Sequence, residues 1–170
     1  QAGVHLTLSH LAGLRDDHAE ALANTQRARA LFEEIGDRGG QADALNGIGW
    51  CYAQLGEYEQ AVRCTSEAIA LQRELGDREG EAHATDSLGY AQLRLGRYDE
   101  AERCFRQALD IHRELGNRYY QADTLTHLGD AQRAAGDREG ARESWQAALK
   151  ILEELDHADA EGVRARLEDV

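Results

Sequence analysis

The 170-residue chain contains no proline and no methionine, and only 6% of it is aromatic. A β-sandwich of this length would be unusual without one proline, because its turns and strands draw on proline and aromatic residues. Positive charge is also scarce. Nineteen Lys and Arg face thirty-two Asp and Glu, for a net charge of −13. Such a surface repels phosphate and argues against direct nucleic-acid or anionic-membrane binding. No apolar run approaches the roughly 18 residues of a membrane span. No signal-peptide pattern opens the chain. The three cysteines, Cys51, Cys64 and Cys104, are odd in number and form no CxxC pair. Neither a disulfide framework nor a zinc site is expected from them, and a reducing cytoplasm is the compartment they fit. The first residue is Gln1, which suggests a fragment of something longer.

What the chain has in quantity is Ala, Leu, Glu, Arg and Gln, the good helix formers, arranged in a repeat. The stretch from Gly36 to Leu75 returns from Gly76 to Leu115 and again from Gly116 to Leu155, with a period of 40 and no gap. The first two of these copies share 17 of 40 residues. Residues 1–35 read as an earlier copy lacking its start. Each copy reads as two helices, the first over about Arg38–Leu55 and the second over about Tyr58–Leu75. Asp37, Asp77 and Asn117 are placed to cap the first helix of each copy. Gly56, Gly96 and Gly136 fall between the two helices, and Gly36, Gly76 and Gly116 end the second, where a left-handed turn suits glycine.

Aligned columns give the packing. Leu8, Ile48, Leu88 and Leu128 form one large column. Leu71, Ile111 and Ile151 form a second, and Leu75, Leu115 and Leu155 a third. All are expected in the core. Gly49, Gly89 and Gly129 form a small column, as do Ala61, Ala101 and Ala141, and Ala68, Ala108 and Ala148. These mark close helix approach. One hairpin cannot bury its own apolar face, so the hairpins must stack. After Leu155, the residues Ala160, Val163, Leu167 and Val170 make one apolar stripe on a single helix. It reads as a C-terminal cap. The N-terminal end has no such cap, so Val4 and Leu8 are expected to be partly uncovered and able to meet another chain, such as a second copy, or further repeats.

The pattern of Ile48-Gly49, Tyr52, Gly56, Tyr58, Ala61 and Ala68 resembles the tetratricopeptide repeat, whose usual period is 34 residues. The resemblance implies an all-α, right-handed superhelix, an α-solenoid of about four helix pairs plus a capping helix over 156–170. The whole of 1–170 is then one domain, with repeats at 1–35 (partial), 36–75, 76–115 and 116–155. The C-terminal run from Trp145 to Leu155, with Asp156-His157, Asp159-Ala160 and Val163 to Leu167, is similar to the ends of AfsR-like regulators of the Streptomyces antibiotic regulatory protein type. In that family a DNA-binding domain and an NB-ARC ATPase precede a tetratricopeptide array. The resemblance implies a regulatory or sensor array that binds a partner, or the parent's own ATPase domain. A free-standing scaffold and a peptide or small-molecule receptor are the alternatives.

Catalytic chemistry finds little support. GDREG at Gly76–Gly80 and Gly136–Gly140 lacks the Lys-Ser/Thr of a phosphate loop and reads as a repeat junction. Asp123 and His127 share a helix face, with His83 in the Asp123 column, but no HExxH accompanies them, so no metal is expected. Cys64 and Cys104 share a column beside Arg63 and Arg103. They read as packing residues, because no base pattern recurs with them. Neither an enzyme nor a cofactor is expected.

The concave surface is the candidate site. In tetratricopeptide arrays the first helices line the inner groove. The inward columns are Leu6, Asn46, Asp86 and Thr126, and His10, Trp50, Tyr90 and Asp130. Asp43, His83 and Asp123 flank them on one side, and Gln54 and Arg94 on the other. The expected partner-binding residues are Asn46, Trp50, Gln54, Asp86, Tyr90, Arg94, Thr126 and Asp130. Trp50 and Tyr90 supply anchoring surface, and Asn46 and Asp86 can bond a peptide backbone. The competing reading has Trp50 and Tyr90 filling gaps between hairpins. A clamp for a C-terminal carboxylate fits poorly, since only Asn46, Arg94 and Arg133 would serve it.

Overall fold

The computed structural model describes residues 17–169, and all of its regular elements are α-helices. They are α1 (His18–Ile35), α2 (Arg38–Gln54), α3 (Tyr58–Leu75), α4 (Arg78–Arg94), α5 (Tyr98–Glu114), α6 (Arg118–Ala135), α7 (Arg138–Glu154) and α8 (Ala160–Glu168). The pairs α2–α3, α4–α5 and α6–α7 are the three full repeats. α1 is the second helix of the partial one. Val4, Leu6, Leu8, His10 and Val170 lie outside the described residues.

Local chemistry sets the helix ends. Asp37 and Asp77 each accept a bond of 3.0 Å from the backbone N–H three residues on, at Gly40 and Gly80. Asp137 does the same for α7 at 2.9 Å. Asn117 departs from the expectation. It makes no side-chain cap, and its amide instead donates to Glu79 of the preceding repeat at 3.0 Å. At the other end Gly76 turns the chain at φ 72°. That lets the Asp77 N–H reach back to the Gln72 carbonyl at 2.9 Å, closing the helix with a left-handed residue.

Each helix packs on its neighbours in sequence, and α4 also meets α2 and α6 across repeats. The small columns behave as expected: Ala61, Ala101, Ala141, Ala68, Ala108 and Ala148 are wholly buried. Gly49, Gly89 and Gly129 lie against Thr65, Phe105 and Trp145 respectively. These form one column of the second helices, holding side chains of increasing size. Ile48, Leu128, Ile111 and Ile151 are buried, while Leu71 and Leu88 are half-buried.

The third large column is a correction. Leu75, Leu115 and Leu155 are 42–43% exposed and do not belong to the core. They fall at the end of each repeat's second helix, just before the left-handed residue that reverses the chain, Gly76, Gly116 or Asp156, at the edge of the solenoid. The same edge carries a ladder of ion pairs within the repeats, Arg38–Glu74 at 2.6 Å, Arg78–Glu114 at 2.9 Å and Arg118–Glu154. Each is half-exposed and contributes at most about 1 kcal/mol. The cap forms as expected over the described residues. Ala160 and Val163 of α8 are buried in one cluster with Trp145, Ile151 and Leu152, and Leu167 packs against it.

Candidate functional site: the groove of the first helices

Facing α2, α4 and α6 line a cavity of about 560 Å³ that opens to solvent. α2 contributes Asp43, Asn46 and Trp50, and α4 contributes His83, Asp86 and Ser87. Tyr120, Asp123, Thr124 and His127 come from α6, and Gln72 and His112 reach in from the second helices α3 and α5. The volume lies within the range of ordinary ligand pockets, about 300–1,000 Å³.

Three of the eight expected site residues, Asn46, Trp50 and Asp86, meet in this cavity. Trp50 is 39% exposed. Tyr90 stands behind it with ring centroids 5.1 Å apart. Tyr90 is half-buried and packs against Phe105 and Ala101, so it fills a gap between hairpins and supports Trp50. Arg94 turns onto aromatic faces. Its guanidinium lies 5.3 Å over the Tyr58 ring and donates to the Tyr90 hydroxyl at 3.3 Å. Arg133 lies 5.4 Å over the ring of Trp145. Two cations of a would-be carboxylate clamp are thus already engaged with aromatic rings. Gln54 is half-buried and does not line the cavity.

Thr126 and Asp130 do not line this cavity. Thr126 lines a second cavity of about 360 Å³ beneath α8. Asp130 accepts from Arg166 of α8, from Nε at 2.9 Å and from Nη2 at 3.3 Å. The cap helix therefore neutralises the groove's last inward carboxylate. The two cavities share Asp123 and His127.

An ion pair lies at the floor of the larger cavity. His127 Nδ1 is 2.9 Å from Asp86 Oδ2. Burial works against a charged imidazole, but the carboxylates of Asp86, Asp123 and Asp130 outweigh it and push its pKa up to about 9. His127 is therefore an imidazolium at neutral pH and donates to Asp86. Burial would raise the Asp86 pKa, and the charge of His127 reverses that, leaving it lowered. His112 is 1% exposed. Burial, with help from His83, lowers its pKa and keeps it neutral. Burial and nearby carboxylates raise the pKa of Asp123, as they do at Asp43, although Asp43 stands at the exposed rim. One oxygen of Asp86, a residue expected to bond a peptide backbone, is thus already taken by His127.

An aromatic and imidazole cluster closes the other side. The His83 and Tyr120 rings meet edge to face at 4.3 Å, and Tyr120 stacks on His112 at 5.3 Å. Neither Tyr120 nor His112 was among the expected site residues. A signal was present for Tyr120, which stands where the two preceding copies have Gly40 and Gly80.

Among the described residues no group of three or more His, Cys, Asp or Glu side chains is arranged to hold a metal ion. The three cysteines are free. Burial pushes the Cys104 thiol up to about 11, the opposite of what a nucleophilic thiolate needs. No helix among the described residues is long and apolar enough to cross a membrane.

A stack of helical hairpins with an open groove on one face defines a helical-repeat interaction scaffold. The chain belongs to the tetratricopeptide repeat family, whose profile matches residues 1–74 and 80–154. As such an array it is a protein-interaction module. No curated protein matches the chain. Solved structures share its fold. BtubC (BKLC) from P. vanneervenii is 22% identical with a TM-score of 0.77, covering 91% of this chain and 64% of that one. A Rap protein complexed with Competence and Sporulation Factor is 16% identical with a TM-score of 0.88, covering 96% of this chain and 46% of that one. A putative kinesin light chain with nearly identical TPR-like repeats, from Podosopora anserina, is 16% identical with a TM-score of 0.76, covering 96% and 82%. The chain spans less than two thirds of the first of these and less than half of the second.

Proposed function

We propose that the groove of α2, α4 and α6 takes an extended segment of a protein partner, without catalysis, and that Trp50 is its anchor. The observation that carries this reading is the exposure of Trp50 at the mouth of a 560 Å³ cavity, braced from behind by Tyr90. A large aromatic held rigidly at a concave surface loses little entropy on binding and makes a strong anchor. The cavity is open to solvent and shares Asp123 and His127 with the second one. That shape favours a segment laid along the groove over an enclosed small molecule. The Rap protein of similar fold was solved with a factor bound, which is consistent with this use of the architecture.

At the cellular level the reading is a cytoplasmic regulatory array of a bacterial transcriptional regulator, supported by the resemblance of residues 145–167 to AfsR-like proteins. Its partner is then a protein segment or the parent's own ATPase domain. Binding biases the parent between inactive and active states. The experiment is a peptide array and pull-down with wild type and Trp50→Ala. Trp50→Ala should lose the selected partner while keeping its helical circular dichroism. A folded Trp50→Ala that binds the partner as wild type does would place the interface on another face.

A further inference from the structure

We infer that the cavity between Asp43, Asp86 and Asp123 is a receptacle for a basic side chain, an alkylammonium or guanidinium carried by the segment bound in the groove. This rests on the groove reading above and adds the chemistry that the groove selects.

Charge gives the first argument. Three carboxylates line the cavity, and the imidazolium of His127 is paired with Asp86. His112 is neutral. Among the described residues Asp43 and Asp123 make no salt bridge of their own, and both line this concave space. There a complementary charge is felt more strongly than on an open surface. Burial is the main cause of the raised pKa values of Asp43 and Asp123, with Asp77 and Asp37 adding to it at the first and Asp86 and Asp159 at the second.

Orphaned acceptors give the second. Asp86 is nine-tenths buried, at 9% exposed. Its Oδ2 is held by His127 and the Thr124 hydroxyl also acts on the carboxylate, but its Oδ1 makes no hydrogen bond of good geometry and no contact with solvent. Asn46 Oδ1 is in the same condition. These residues occupy one column of adjacent repeats and line the same cavity. A buried acceptor left unmade costs about 1–3 kcal/mol, so both call for a donor. A side-chain rotation at the cavity floor is needed to expose them. An ammonium brings three donors and a guanidinium five, and neither brings an acceptor that the carboxylates would reject.

The walls give the third. Trp50 from α2 and Tyr120 from α6 stand at the two ends of the cavity along the array. Aromatic faces attract cations and also cover the methylene stem of Lys or Arg. A carboxylate-bearing side chain would meet the like charges of Asp43 and Asp123 here instead.

The test uses the protein as it stands and a library of short peptides, acetylated and amidated so that neither terminus is charged. Wild type should select peptides with Lys or Arg at one fixed position. Replacing that residue by norleucine or citrulline should weaken binding about tenfold or more, the loss of a charge-assisted contact. In the Asp43→Asn/Asp123→Asn variant the same replacement should cost clearly less. A second arm titrates n-butylamine and n-butylguanidine and reads Trp50 fluorescence, since Trp145 is buried. A response to the free amines at concentrations comparable with the peptides would assign the site to a small amine and overturn the peptide source. Selection of peptides whose basic residue can be replaced without loss, or of acidic peptides, overturns the receptacle while leaving groove binding intact. Selection of no peptide, with no fluorescence response to either amine, overturns both readings. Selected peptides that bind Trp50→Ala unchanged defeat the groove reading itself.

Discussion

Gly89→Leu probes the contact on which the hairpin register depends. Gly89 lies on α4 against Phe105 of α5. A Cβ added there would sit 2.7 Å from Phe105 Cε1, 2.9 Å from Cδ1 and 3.0 Å from Cζ. The ring cannot yield, because Phe105 is wholly buried among Ala101, Leu128 and Ala131. Two effects compete. Replacing a mid-helix glycine gains about 0.8 kcal/mol of helix propensity. Overpacking typically costs about 1–3 kcal/mol, and four carbons placed where one does not fit fall at the upper end. The net expectation is a loss of about 2 kcal/mol, or a midpoint lower by about 4–8 °C for a chain of this size. Gly39→Ala is the control, since its nearest added contact is an ordinary 3.6 Å from Asp37 Oδ1. It should be neutral or slightly stabilising. Thermal and urea unfolding followed by circular dichroism would compare the two. Adding Phe105→Ala to Gly89→Leu should cost at least about 1 kcal/mol less than the sum of the single changes, because neighbours that clash are coupled. Additive losses, or a Gly89→Leu that melts with wild type, would refute the register.

The Asp86–His127 pair gives a pH dependence. The folded pKa of His127, about 9, lies above its ordinary 6.5, so its contribution is complete below about pH 6.5 and is lost as pH rises toward 9. Urea midpoints should fall across that window in wild type and change less in His127→Gln; equal slopes would reject the pair as a source of stability. Asp43→Lys, at the exposed rim, should weaken binding of a basic segment, and the difference from wild type should shrink as salt rises. Asp86→Lys is the poorer probe, because it would set a second cation against the imidazolium. Trp50→Ala should cost about 2 kcal/mol or more of binding, read by titration calorimetry with the selected peptide. With its thiol held near 11, Cys104 should react with iodoacetamide at pH 8 more slowly than free cysteine, and a rate equal to or above that of the free amino acid would contradict its burial.

The repeat made most of the fold legible in the sequence. A 40-residue period with glycine at both turns leaves little choice but stacked hairpins. Helices α2 and α3 fall within a residue of the expected ends. What periodicity could not reveal was the part of each column that solvent reaches. Leu75, Leu115 and Leu155 look like core because they are apolar and aligned, yet their place at the reversing turn exposes them. Asn117 looks like a cap because Asp37 and Asp77 are caps, but an amide can donate as well as accept, and Glu79 lies within its reach. The groove was legible only in part. Asn46, Trp50 and Asp86 follow from helix geometry. The pairing of Asp86 with His127 spans 41 residues, one more than the period, so no column contains both. The engagement of Asp130 by Arg166 depends on where the cap helix docks, which the repeat does not encode.

The positions that break the repeat are the ones that shape the groove. Columns such as Ala61, Ala101 and Ala141 keep one residue because the space between helices is the same in every hairpin. The inward columns face no such constraint, and they read Asn46, Asp86, Thr126 and Trp50, Tyr90, Asp130. Their variation divides one regular surface into distinct sections. Near α2 and α4 there is an exposed aromatic anchor with unpaired acceptors beside it. At α6 the carboxylate of Asp130 is closed off by the cap. Tyr120, at the position that Gly40 and Gly80 hold in the preceding copies, walls the cavity beside His83 and His112. A single change at that position can therefore test the division. Tyr120→Gly restores the residue of the other copies, and Tyr120 is exposed at 37%, so the core is spared. The helix loses about 1 kcal/mol or less in propensity, because the position lies in its first turn. If the wall shapes the cavity, the variant should stay folded yet lose discrimination between peptides that differ only in the stem length of their basic residue. Unchanged discrimination in a folded Tyr120→Gly protein would show that the selectivity comes from Trp50 and the carboxylates alone.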